Sequence, residues 1–414
     1  MRLHDFLDFH TRERPNSGFA VMGDRTVTYS EASKRINQLA NAFASAGLKK
    51  GDRIAFLSKN SIEYMYMYYA GSKSGVVPVP LNYRLASGEW AYIINDSQAK
   101  MLVASAEYLA GVDGVRGELE TVDQFVSVGA SGQANGAGGW TDFDTWVNTQ
   151  SESAPLEEIF AGDDIFQKYT SGTTGHPKRV LLTHDSLTAN LVQFAPDAPM
   201  PAEHRTLVAA PLYHIAAALN GFYAMYHGGC LIIHENFDPA AVVKSLDEEK
   251  ISWGVLVPAM IQACLVAVPG VEQRKFFDLE LIAYGGSPIA EETLAKGMEV
   301  FNCDFVQVYG QTELSPIATV MSVADHRRAL NGNKELLLSA GRAALGTDLQ
   351  IVDEEDNPVP AGTMGEICVR GPQMMKGYWN LPEATAEAMR GGWLHTGDAG
   401  TLDEEGYLFV QDRV

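Results

Sequence analysis

Cysteine is scarce in this chain. Its four positions, Cys230, Cys264, Cys303 and Cys368, lie far apart, with no CxxC pair and no Cys/His ligand spacing. That excludes a disulfide scaffold and a zinc framework, and reads as reduced thiols in a core. Positive charge is also short: 31 Lys and Arg stand against 52 Asp and Glu, a formal net charge of −21. Such a balance argues against a nucleic-acid surface and makes small molecules the first partners. Any anionic ligand must then be drawn in by local cations such as Lys178 and Arg179 rather than by the global field. Long apolar runs are missing as well. The longest stretch, Gly254 to Val268, is broken by Pro258 and Gln262, and the first eight residues carry acids where a signal peptide needs an apolar core. The expectation is a cytoplasmic protein with no transmembrane segment.

What is present is ample core material. An apolar content of 46% with 20% charged residues describes a globular protein, and 414 residues exceed what one core usually supports, so internal subdivision is expected. Residues 30 to 80 alternate as an α/β protein does. Ser30 can cap a helix carrying Ile36, Leu39, Ala40 and Phe43 and closing at Gly47, and Arg53 to Leu57 reads as a short buried strand. Asn60 then opens a helix with Ile62, Tyr66 and Tyr69 that stops near Gly75, before the extended Val76 to Pro80; parallel pairing is expected. The Gly129 to Gly139 run is too poor in apolar residues to pack and reads as an exposed connection. From about Gly341 onward, short alternating strands such as Glu366 to Arg370 and Tyr407 to Gln411 predict a small antiparallel or barrel-like unit.

Residues 169 to 178 place Thr170, Ser171, Gly172, Thr173, Thr174, Gly175 and Lys178 in one loop. Glycines let backbone N–H groups approach an anion, the hydroxyls add donors and Lys178 adds charge, so a polyphosphate is the indicated ligand. It is not a Walker A loop, because Lys178 follows Pro177 and precedes Arg179. Two more segments, Leu281 to Tyr284 running into Gly285, Gly286 and Ser287, and Phe305 to Tyr309 running into Gly310 to Glu313, read as strands ending in polar loops. In an open parallel sheet such loops share a crevice. Taken singly, Tyr309 also reads as a core tyrosine, Asp398 as an Asx turn, His214 as a satisfied core histidine and Glu313 as a surface acid.

The 170 to 178 loop, Pro211 to His214, Tyr309 to Glu313 and Thr396 to Asp398, with Asp412 and Arg413 at the end, stand in an order that closely resembles the adenylate-forming (ANL) superfamily. That superfamily holds acyl-CoA synthetases, nonribosomal peptide synthetase adenylation domains and firefly luciferase. Thr28 and Tyr29, Pro80 to Asn82 and Tyr378 to Asn380 look like its acyl- and aryl-CoA ligase branch. The resemblance spans nearly the whole chain. It implies an α/β fold, the large N-terminal domain, with two helix-flanked β-sheets in an αβαβα core plus a small distorted β-barrel. Residues 1–411 would form that domain (341–411 its β-rich part), and residues 412–414 would start a hinge to a C-terminal lid that is absent.

The implied activity is that of a carboxylic acid–CoA ligase: a fatty or aromatic monocarboxylic acid and ATP give acyl-AMP, and CoA then takes the acyl group. Mg²⁺ is the implied metal. By the same resemblance, Thr170 to Gly175 and Lys178 hold the β- and γ-phosphates, Thr312 donates to the α-phosphate and Glu313 holds Mg²⁺. Tyr309 lies against adenine, Gly285, Gly286 and Ser287 form the opposite wall, Val308, Gly310 and Gln311 complete the nucleotide site with Arg413, and Asp398 takes the ribose hydroxyls. His214 gates the acyl entry, with Tyr213, Gly254 and Gly285 beside the acid; Lys178, His214, Thr312 and Glu313 form the catalytic set. Relatives place glycine where Arg179 stands, so the loop exit differs and Arg179 could reach phosphate. Without a lid, turnover is expected to fall at least about tenfold. Transfer to a carrier protein, or a non-catalytic nucleotide-binding module, are the alternatives; a homodimer stays open.

Overall fold

Local chemistry sets the first elements of the computed structural model, which describes every residue except 130–136, 171–176 and 414 and leaves the side chains of 137, 412 and 413 undescribed. The long helix Tyr29–Ser45 starts two residues earlier than a cap at Ser30 suggests. Thr28 is its cap, accepting from the Glu31 N–H while the Glu31 carboxylate reaches back to the Thr28 N–H, a reciprocal capping box that satisfies two donors at once. Ser61, rather than Asn60, caps the helix Ile62–Ser74 by accepting from Tyr64 N, and Gly75 closes it in the left-handed region at φ 73°. Asn60 is freed for another task, described below. The strand Arg53–Leu57 forms as expected and pairs in parallel with Val77–Pro80.

Four sheets organise the described residues. A five-stranded parallel sheet runs Val77–Pro80, Arg53–Leu57, Met101–Ser105, Gln124–Val128, Thr141–Asp142. A nine-stranded mixed sheet runs Arg342–Ala343, Thr319–Met321, Asp304–Tyr309, Leu281–Gly285, Trp253–Val255, Arg205–Val208, Cys230–Ile233, Gly18–Met22, Arg25–Thr28. Between them lies a buried layer that includes helices Tyr29–Ser45, Ile62–Ser74 and Ile215–His227, whose Phe43, Tyr68 and Phe222 join Phe56, Phe166 and Val208 in one core. Helices Pro239–Glu248, Pro258–Ala267 and Glu291–Phe301 cover the far face of the larger sheet through Val242, Ile261 and Leu294. Trp90, Ile93 and Ile94 cover the far face of the smaller one. The layers follow the expected αβαβα order.

The β-rich end is a four-stranded antiparallel sheet of Asp348–Val352, Gly365–Arg370, Leu394–Leu402 and Leu408–Arg413. A three-stranded sheet was not anticipated. In it the antiparallel pair Asp164–Thr170 and Lys178–Thr183 is joined by Gly377–Tyr378 from far along the chain. The expected connection at 129–139 lies largely outside the described residues. All four cysteines are free, Cys303 being half-buried and the others buried.

Candidate active site

The paired strands Asp164–Thr170 and Lys178–Thr183 present the two ends of the hydroxyl-rich loop side by side, Thr170 opposite Lys178. Ser171, Gly172, Thr173, Thr174 and Gly175 lie outside the described residues, as does the side chain of Arg413. Lys178 turns back onto the third strand of this sheet: its Nζ donates to the Tyr378 hydroxyl at 3.5 Å and sits 5.1 Å from that ring's centroid. The Tyr378 hydroxyl in turn donates to Glu313 Oε1 at 2.9 Å. Glu313 is only 5% exposed, an expensive place for a carboxylate without such a donor. One oxygen is thereby fixed, and the alternative reading of Glu313 as a surface acid does not fit its burial.

Arg179 is engaged by a neighbouring helix. Its guanidinium pairs with Asp96 at the end of helix Ser87–Asp96, and Tyr169 donates to the other oxygen of the same carboxylate at 2.6 Å. Because Tyr169 and Arg179 are cross-strand partners, Asp96 clamps the two strands just below the loop. A side chain at 179 is tolerated because the residue is ordinary extended strand, not a left-handed turn.

Strand Asp304–Tyr309 leads into the second motif. The Tyr309 hydroxyl donates to Asp398 Oδ2 at 2.8 Å and Gln311 Nε2 donates to Thr396 O at 3.3 Å, which ties the Tyr309 to Glu313 segment to Thr396 to Asp398 within the strand Leu394–Leu402, so Asp398 is a strand residue and not an Asx turn. This stretch is held from its neighbouring strand, where Gly397 N donates to Glu366 Oε1 at 3.0 Å and His395 Nδ1 lies 2.8 Å from Oε2. Gly310 must be glycine: its φ is +156° and a Cβ there would lie 2.0 Å from Pro316 O. Gly285 is equally constrained, since a Cβ would meet Val308 O at 2.2 Å on the neighbouring strand, while Gly286 and Ser287 are exposed beyond it.

A cavity of about 750 Å³ opens beside these groups, with Thr170, Pro177, Thr312, Tyr213 and His214 among the residues that line it. It extends toward Pro80, Asn82, Leu85, Glu89 and Tyr92, an end where aliphatic and aromatic side chains mix with two polar ones. Gly254 and Gly285 do not line it; Gly254 sits in the strand Trp253–Val255 with its Cβ position 3.3 Å from Leu207. His214 stands at the N-terminal cap position of the helix Ile215–His227 and is exposed on the cavity wall. Desolvation by the surrounding wall first, then the charges of Lys168 and Arg84, lower its pKa to about 4, so at neutral pH it is an uncharged donor or acceptor.

The structure thus draws Lys178, Thr312, Glu313, Tyr309, Gln311 and Asp398 into one connected set, with His214 and Tyr213 on a shared cavity wall. Sequence reasoning passed over Tyr378 and Asp96. Tyr378 had a signal, since it stands in a motif quoted above only as a marker of the ligase branch. Asp96 had none, being joined to Tyr169 across 73 positions by folding alone.

A family model described as "AMP-binding enzyme" matches residues 7–379. The chain is 34% identical over 405 residues to a feruloyl-CoA synthase of an Amycolatopsis species, covering 97% of this chain and 77% of that one. It is 33% identical over 411 residues to the fatty acid–[acyl-carrier-protein] ligase ScoC of Streptomyces coeruleorubidus, covering 98% and 76%. Among solved structures, the inhibitor-bound N-terminal domain of FACL13 from Mycobacterium tuberculosis superposes with a TM-score of 0.89 at 30% identity, covering all of both chains.

Proposed function

The chain belongs to the AMP-binding enzyme family, and from that premise we propose that it is a carboxylic acid–CoA ligase acting on a fatty or aromatic monocarboxylic acid. The observation that carries this reading is the link Lys178–Tyr378–Glu313, a cation and a buried carboxylate held together next in the chain to Pro177 and Thr312, which line the cavity. In the first half-reaction an acid carboxylate oxygen attacks the α-phosphorus of ATP, a P–O bond forms and pyrophosphate leaves with the bonding pair. In the second, the CoA sulfur attacks the acyl carbon and AMP leaves.

The residues divide the work by charge. Lys178 and Thr170 would stabilise the negative charge that collects on pyrophosphate, and Thr312 would donate to the α-phosphate. Tyr309 would pack on adenine and Asp398 would accept from the ribose hydroxyls, exchanging its present bond from Tyr309 for stronger paired ones. The donor set fits Mg²⁺: Glu313 offers one hard oxygen while Tyr378 fixes the other, as suits a cation that keeps most of its ligands as water and phosphate. Bound there, Mg²⁺ would neutralise phosphate charge. Neutral His214 on the wall with Tyr213 would border the acid without repelling or trapping its carboxylate.

A fatty or aromatic acid is supported by the named substrates of the relatives and by the aliphatic and aromatic lining at Leu85, Tyr92 and Tyr213. The ScoC likeness keeps a carrier-protein pantetheine as a second acceptor. Residues 412–414 are taken as the start of a hinge to a lid, in line with relatives that are longer than this chain, and the cytoplasm as the compartment; no helix among the described residues is long and apolar enough to cross a membrane. Exchange of labelled pyrophosphate into ATP over a panel of benzoic, cinnamic and straight-chain acids tests the reading. Acid-dependent exchange is expected, and none with any acid, even after fusion to a relative's C-terminal domain, would sink it. With an active acid in hand, CoA and a carrier protein offered in parallel decide the acceptor.

A further inference from the structure

Residues 209–214 connect the strand Arg205–Val208 to the helix Ile215–His227 without regular structure, so their backbone groups need partners from elsewhere. Buried side chains supply them. Asn60 accepts from Leu212 N at 2.7 Å and donates to Ala210 O at 3.0 Å. Tyr68, on the helix Ile62–Ser74, donates to Leu212 O at 2.7 Å. Lys168, on the strand Asp164–Thr170, donates from Nζ to Tyr213 O at 3.0 Å and to the Tyr68 hydroxyl at 2.8 Å. The segment so braced is the one that carries Tyr213 and His214 to the cavity.

Lys168 is unusual in that position. It is 3% exposed, with its Nζ 5.1 Å from the Tyr68 ring centroid and 5.6 Å from that of Phe166. Burial alone depresses its pKa far below the ordinary lysine range. Two acceptors face the amine, the Tyr213 carbonyl and the Tyr68 hydroxyl, and each takes one of its N–H groups. A methionine would fill the same apolar space without desolvating an amine, so what the lysine adds is its pair of hydrogen bonds.

We propose that Lys168 is a positioning residue for the acid end of the site: its amine fixes the Tyr213 carbonyl and, through Tyr68, the Leu212 carbonyl, so that Tyr213 and His214 hold the acyl group of the adenylate. The proposal rests on the acid-activating reading above. It makes the acyl half of acyl-AMP, and not the AMP half, sensitive to a residue that touches neither.

The 414-residue chain is titrated calorimetrically with AMP and with the N-benzoyl and N-dodecanoyl sulfamoyl adenosines, stable mimics of aryl- and alkyl-adenylates. The wild type should bind at least one acyl probe more tightly than AMP; if it binds neither so, the acid-activating reading fails before Lys168 is in question. Given that preference, Lys168→Met should weaken the acyl probe about tenfold and leave AMP within about twofold. In a His214→Ala background the same change should add little, because the two residues act as one unit. Wild-type acyl affinity in Lys168→Met, an equal loss of AMP and acyl binding, or losses that simply add to those of His214→Ala would each overturn the proposal. If Lys168→Met does not fold, Tyr68→Phe takes its place: it keeps the ring, must show the same selective loss, and refutes the proposal if it does not.

Discussion

Replacing Tyr378 with Phe removes one oxygen and leaves the ring under Lys178, which makes it a clean probe of the Glu313 carboxylate. The lost contacts are the 2.9 Å donation to Oε1 of an acid that is 5% exposed and the longer donation, at 3.5 Å, from Lys178 to the same hydroxyl, of which the first dominates. Hydrogen bonds to charged acceptors contribute a net of about 1.5–3 kcal/mol, and burial removes water as a substitute donor. Taking about 2 kcal/mol, and about 1.4 kcal/mol per factor of ten, the affinity for MgATP should fall roughly 30-fold if Glu313 must be held in place to share the cation. In EDTA the same variant should bind ATP within about threefold of wild type, since Lys178 and the hydroxyls remain. Calorimetric titration with and without Mg²⁺ separates these outcomes. An equal loss in both conditions would mean that Tyr378 supports the nucleotide site generally, and no loss in either would mean that Glu313 does not hold the metal.

Two further outcomes concern the frame around the site. His184 is fully buried with a pKa near 3 and His4 is held at about 4, both chiefly by burial, whereas an unfolded chain protonates them below about pH 6.5; their depressed values give stability that is whole above that pH and drains as pH falls towards 4 and then 3, at up to about 1.4 kcal/mol per unit for each. His184→Gln keeps an acceptor for the Leu3 N–H and should flatten the urea-derived stability slope between pH 6 and 5 by roughly 1 kcal/mol per unit, an unchanged slope counting against the assignment. Gly310→Ala should cost about 3 kcal/mol or more, because its Cβ would stand 2.0 Å from Pro316 O, while Gly286→Ala, strained in φ but with nothing within 4 Å, should cost about 1 kcal/mol; equal melting temperatures would refute the packing argument.

Much of this was legible in the order of residues. Apolar runs ending in glycine and polar loops gave the parallel strands Leu281–Gly285 and Asp304–Tyr309, because burial and turn chemistry act locally. Helix starts were off by a residue or two. Ser30 and Asn60 are good caps by type, yet Thr28 won by having Glu31 three residues on, and Asn60 was claimed by the backbone of residues 210–212 and 234. The pairing of Arg179 with Asp96 was not legible, because that partner lies 83 residues earlier. Lys168 was invisible for a related reason: a lysine in a strand reads as an exposed residue, and only the packed neighbours reveal that it faces inward.

The short strand Gly377–Tyr378 has a consequence for synthesis. It completes the three-stranded sheet by pairing with Val180 and Leu181, and its tyrosine meets a lysine 200 positions earlier. A growing chain will have released the loop and both its flanking strands long before that third strand emerges, so the hairpin must wait with one edge open. Ribosome-bound chains halted before position 377 should therefore be readily nicked by protease near the loop, and nucleotide should protect only those halted well beyond it.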